Sequence, residues 1–128
     1  MITIKTNGNK WKEGKIMDKR VFGQIGENAA ADVLRAGGYK ILRQNYRCKY
    51  GEIDIISERF GEINFVEVKT RKDFNYGRPC EGVTEAKKRH ITKAAQCYLR
   101  EMKSKGYIPR SYGFCIMEVV IRQTNNAF

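Results

Sequence analysis

The sequence predicts an α/β domain, on three observations. Its apolar residues recur at helical spacing in two segments, in strand-like runs of β-branched and aromatic residues in four others, and these alternate in the order helix, three strands, helix, strand. At 128 residues the chain is long enough for one core and too short for two. Apolar residues make up 41% and charged residues 30%, an ordinary composition for a globular protein, with no apolar run that could cross a bilayer. The start, Met1-Ile2-Thr3-Ile4-Lys5, lacks the apolar core of a signal peptide. A cytoplasmic location and no membrane partner are expected.

Residues 1–17 read as a flexible basic arm. They are polar, interrupted by Asn7-Gly8-Asn9, and follow neither a period of 2 nor one of 3.6. Six basic residues between positions 5 and 20 face two acids, a local net charge of +4. The folded unit is expected at 18–122, with a polar tail at 123–128. Asp18 can cap a first helix running to Ala36, with Phe22, Ile25, Ala29 and Val33 as its buried stripe and Gly37-Gly38 as its stop. Glu27 falls on the flank of that stripe with Ala30 and Leu34, facing the edge of the core.

Strands are expected at 39–46, 52–57 and 63–70, with a turn at Arg59-Phe60-Gly61-Glu62 between the last two. Residues 72–82 carry Gly77, Pro79 and Gly82 and read as a loop. Thr84 caps a second helix to Lys105, whose inner face is Ile91, Ala94, Ala95, Tyr98 and Met102, and Gly106 stops it. Residues 112–122 read as a buried strand.

A hairpin centred on Phe60-Gly61 pairs residues whose numbers sum to 121. Ser57 then faces Asn64, Ile55 faces Val66, and Asp54 faces Glu67. Two carboxylates so placed repel each other and require a counter-charge, a shared proton or a metal ion. Lys69, two residues past Glu67, shares its face. Hard oxygen ligands suit a divalent cation, and a lysine beside them can position water and offset phosphate charge, the set a phosphodiesterase needs. The same register supports a plainer reading, with Glu52 facing Lys69 and Arg71 nearby as a solvated ladder on an open face. The apolar neighbours Ile53, Ile55, Ile56, Val66 and Val68 favour the site, because ionised groups are costly in such surroundings.

The net charge of +11 favours polyanionic partners. Lys87, Lys88, Arg89 and Lys93 in the second helix, with Arg71 on the strand before it, are candidate phosphate contacts. The four cysteines are scattered and the one histidine, His90, has no cysteine nearby, so a zinc site is set aside.

Gly51-Glu52-Ile53-Asp54 followed by Phe65-Val66-Glu67-Val68-Lys69 resembles the Asp…Glu-x-Lys core of the restriction-endonuclease-like superfamily. Gly23-Gln24-Ile25-Gly26-Glu27-Asn28-Ala29-Ala30, Glu67-Val68-Lys69-Thr70-Arg71, Tyr76-Gly77-Arg78-Pro79 and residues 83–94 resemble motifs of the YraN-like family of small bacterial proteins, which is similar to archaeal Holliday junction resolvases. The chain departs from that family where its last strand opens, reading Gly113-Phe114-Cys115 in place of Arg-Phe-Asp. The resemblance implies a restriction-endonuclease-like fold, with a central mixed sheet flanked by helices. It also implies a DNA endonuclease using Mg²⁺ or Mn²⁺, with branched or structured DNA among its substrates. Asp54 and Glu67 would be metal ligands, the Val68 main-chain carbonyl and Glu27 further ligands, and Glu27, Asp54, Glu67 and Lys69 the catalytic set. A homodimer follows by analogy with the resolvases. The rival reading keeps the fold as a nucleic-acid-binding module without catalysis.

Overall fold

The computed structural model describes residues 2–7, 19–72 and 83–124, with side chains described for 19–72 and 83–122. Seven elements follow in order: β1 (Ile2–Asn7), α1 (Lys19–Ala36), β2 (Lys40–Cys48), β3 (Gly51–Arg59), β4 (Glu62–Lys72), α2 (Glu85–Ser104) and β5 (Ser111–Thr124). The strands form one mixed sheet in the order β1-β5-β4-β3-β2. β2, β3 and β4 run as an antiparallel meander, and β5 is parallel to both β4 and β1. This is an α/β fold compatible with the restriction-endonuclease-like architecture.

Successive strand residues point to opposite faces, and each face meets one helix. Ile55, Val66 and Val119 pack with Ala30, Ala31 and Leu34 of α1. Ile56, Ile63 and Phe65 pack with Ala94, Ala95 and Tyr98 of α2. Thr84 caps α2 as expected, its hydroxyl accepting the Lys87 amide at 3.2 Å. The β3–β4 turn is built on positive φ at both central residues, 54° at Phe60 and 77° at Gly61. A two-residue hairpin loop needs such angles for its twist to match that of the strands.

Four features differ from the sequence reading. Ile2–Asn7 is a strand within the segment read as an arm. Its β-branched residues Ile2, Thr3, Ile4 and Thr6 carry a strand propensity that its basic flanks obscure. The rest of the arm, with Asp18, lies outside the described residues. β5 runs on to Thr124, into the segment read as a tail. It is also only half buried: Tyr112, Phe114 and Ile116 are exposed, while Val119, Val120 and Ile121 form core.

The fourth difference concerns the phase of α1. Its buried residues are Gly26, Glu27, Ala30, Ala31 and Leu34, and Val33, expected inside, is 46% exposed. The cause is Gly26. A Cβ there would stand 1.8 Å from the Thr70 hydroxyl oxygen of β4. The missing side chain, with the two small alanines, lets the helix backbone approach the sheet more closely than the larger Val33 face allows. That rotation carries Glu27 into the interior.

Candidate functional site

The site forms where the β3–β4 ladder ends. Pairing runs from Arg59↔Glu62 through Ser57↔Asn64 to Ile55↔Val66, the register predicted from the turn. Asp54 is the next residue, and its carboxylate Oδ2 accepts the Val68 N–H at 2.8 Å. A side-chain acceptor thus takes up a β4 amide just past the last ladder pair. Asn45 on β2, beside this point, has a φ of 53°, so the neighbouring strand is bent there too.

Three carboxylates influence one another electrostatically at this opening. Glu67 and Glu27 are each 8% exposed. Burial pushes the Asp54 carboxyl from 3.8 to about 7, against the lowering effect of the Val68 N–H, and Glu67 and Glu27 push the same way as burial. Asp54 and Glu67 are close enough for their side chains to share a proton. Burial likewise raises Glu27 from 4.5 to about 7, with Glu52 and Glu67 adding to it. Glu27 Oε1 is buried without a hydrogen-bond partner among the described residues. Such an orphaned acceptor is expensive unless something else satisfies it.

Lys87 answers the acids directly. Lys87 Nζ lies 2.6 Å from Glu67 Oε1. That hydrogen bond raises the lysine pKa, and Asp54 and Glu52 reinforce the effect from further away. Lys87 stands in the first turn of α2, where the helix dipole disfavours a cation. Lysine at that position is the sequence signal that could have assigned it to the carboxylates rather than to a phosphate backbone.

The remaining candidates are distributed around the opening. Lys69 is half buried and in register with Glu118 of β5. Glu52 is exposed and ion-paired with Arg47 at 3.6 Å, and the backbone ladder stops at Ile55↔Val66, short of Glu52. Arg71 is held by Glu118, whose carboxylate accepts from its Nε at 2.6 Å. Lys88, Arg89 and Lys93 are exposed on α2. Lys88 pairs with Glu85 at 3.1 Å, and the Lys93 ammonium lies 5.8 Å from the centre of the Tyr50 ring. His90 is exposed on the same helix, while Tyr76 and Cys80 lie outside the described residues.

Hard carboxylate oxygens, with neither a thiol nor an imidazole among them, suit Mg²⁺ or Mn²⁺ rather than zinc. The orphaned Glu27 oxygen and the shared Asp54–Glu67 position fit such an ion in chemistry. In position the fit is partial: among the described residues, no group of three or more His, Cys, Asp or Glu side chains converges to hold a metal.

Residues 26–125, which include every member of the site, match the uncharacterised protein family UPF0102. The chain belongs to that family. A UPF0102 protein of Caldanaerobacter subterraneus subsp. tengcongensis is 45% identical over 107 residues, covering 84% of this chain and 85% of its own length. One from Symbiobacterium thermophilum is 45% identical over 103 residues, 80% of this chain and 84% of its own. One from Caldicellulosiruptor saccharolyticus is 40% identical over 109 residues, 85% of this chain and 90% of its own. UPF0102 is the YraN-like family that the motifs resemble. No helix among the described residues is long and apolar enough to cross a membrane.

Proposed function

We propose that this UPF0102 chain is a metal-dependent endonuclease that hydrolyses phosphodiester bonds in DNA, branched DNA included, and acts in the cytoplasm. The observation that carries this reading is the coupled Asp54–Glu67 pair, Glu67 buried and Asp54 half-buried, together with the orphaned oxygen of buried Glu27. A fold gains no stability from crowding three carboxylates in its interior, so function is the better account of them.

Asp54, Glu67 and the Val68 main-chain carbonyl would hold Mg²⁺ or Mn²⁺, with Glu27 completing the acidic set. Such an ion supplies a polarised phosphate oxygen and a water acidic enough to attack at neutral pH. The rest falls to the chain. The Val68 N–H holds Asp54 in one orientation, and α1 fixes Glu27 through its close seat on β4. Lys69 orients the attacking water and offsets charge on the phosphorane. Lys87 leaves Glu67 to meet the incoming phosphate, and Lys88, Arg89 and Lys93 extend that contact along the strand. Two copies of the chain would present two such sites to a symmetric junction.

One observation favours a second reading, a nucleic-acid-binding module without catalysis. The Lys87 ammonium already neutralises Glu67, which removes one reason for a metal. Calorimetry with Mg²⁺ and Mn²⁺, paired with cleavage of branched and linear oligonucleotides, separates the two. The nuclease reading expects metal binding and cleavage in the wild type, both lost in Asp54→Asn and Glu67→Gln. Salt-dependent DNA binding with no metal binding would establish the second reading.

A further inference from the structure

On the α2 side of the sheet, α2 lies chiefly over β3 and β2. The β5 residues of that face stay half exposed, Tyr112 at 55%, Phe114 at 48% and Ile116 at 45%. Between β5 and the first turns of α2 runs a groove of about 440 Å³, within the size range of small-ligand sites. Its lining includes apolar Phe65, Phe114, Ile116 and Ile91 and polar Glu67 and Lys88. Glu67 therefore belongs both to the groove and to the acidic site.

The aromatic residues of this face are braced. Phe65 is buried, and its ring centre is 5.5 Å from that of Phe114 at an interplanar angle of 30°. Tyr112 stands edge-on to Phe114, 6.3 Å away at 86°. A half-exposed ring backed by a buried one is fixed in place and offers a flat apolar surface at little entropic cost.

We infer that this groove receives an unpaired nucleobase of the bound strand, with Phe114 as its stacking platform. The inference rests on the phosphodiesterase reading of the neighbouring acids and names the substrate class: nucleic acid with bases out of the stack. Charge selects this occupant. The α2 wall of the groove carries Lys88, with Lys87 close by on Glu67, in a chain of net charge +11. A second copy would bring that same charge to the interface, whereas a nucleic acid brings flat rings and phosphates together. An intact duplex keeps its bases stacked and has no free ring to offer.

The test is binding of a single-stranded oligonucleotide carrying 2-aminopurine, and of a blunt duplex of the same length, to the full chain in EDTA, where no cleavage occurs. Losing the ring removes base stacking, so Phe114→Ala is expected to weaken single-strand binding about ten-fold and duplex binding less than about two-fold. Phe114→Leu, which keeps the apolar bulk without the ring, should lose single-strand affinity in the same way, and Phe114→Trp should retain it. Equal losses on both substrates, wild-type binding by Phe114→Leu, or a wild-type dimer in sedimentation that Phe114→Ala dissociates would each overturn the inference. A wild type that binds neither oligonucleotide overturns this inference, while the nuclease reading stands or falls on its own metal-binding and cleavage measurements. Absence of cleavage by the wild type when Mg²⁺ or Mn²⁺ is restored, with the Phe114 results as expected, overturns only the nuclease reading.

Discussion

The two ends of the β3–β4 hairpin are built from the same residue types to opposite effect. At the turn end, carboxylates are partly exposed and individually matched. Glu58 accepts from the Tyr107 hydroxyl at 2.6 Å, and Glu62 pairs with Arg110 at 3.0 Å. At the open end, Glu67 and Glu27 are buried and Asp54 half-buried; Asp54 and Glu27 are raised to about 7, and Glu27 also has an oxygen with no partner among the described residues. Acids spread along a rim cost little and hold the turn. Acids drawn beneath a sheet carry a standing cost, which the proposed function accounts for as stability given up for chemistry.

The sharpest way to break this contrast is Asp54→Asn. Under the proposed function it lowers cleavage by at least about 10³-fold, the scale expected when a metal-held transition state loses a ligand. Because it also removes one of the crowded charges, the melting temperature of the metal-free protein at pH 8 should hold or rise. A large drop in melting temperature would show Asp54 to be structural.

Gly26→Ala attacks the same end through the fold. Its new methyl would overlap Thr70, and overpacking of this kind costs about 1–3 kcal/mol. Denaturant unfolding should show the loss, with cleavage falling further than stability because Glu27 shifts with the helix. Restoration by the double variant Gly26→Ala with Thr70→Ala would confirm the contact.

Titration sharpens the comparison. Asp54 and Glu27 in the folded chain hold protons up to about pH 7, while their ordinary values are 3.8 and 4.5. Between those limits the folded state binds more protons than the unfolded state, so metal-free stability falls as pH rises through the window. Thermal melts from pH 4 to 8 should show this fall, and Asp54→Asn should flatten it. The turn end yields the smallest effect: Tyr107→Phe removes one hydrogen bond to Glu58 and should cost about 1 kcal/mol in denaturant unfolding, leaving activity unchanged.

The turn end was legible in the sequence because its rules are local. Phe60-Gly61 fixes the register, and Ser57↔Asn64 and Ile55↔Val66 follow from it. The Asp54–Glu67 proximity was legible for the same reason, although the ladder stops one pair short and Asp54 binds the Val68 amide instead. Three features were hidden. The phase of α1 depends on a missing side chain at Gly26, and an apolar count is blind to a contact made by backbone. Lys87 was read with its basic neighbours because its partner, Glu67, is distant in sequence and is brought near by the packing of α2. The exposed row on β5 was read as buried because apolar content alone does not reveal how far a covering helix extends.

The position of β5 has a consequence for biosynthesis. It slots between β1 and β4, parallel to both, so the sheet cannot close until the chain has been made through residue 124. Until then β4, which carries Glu67, has a bare edge, and contacts of such long sequence separation form slowly. A ribosome-bound chain is therefore expected to hold its acids in an unfinished sheet, and any activity they support would begin only after elongation has passed the last strand.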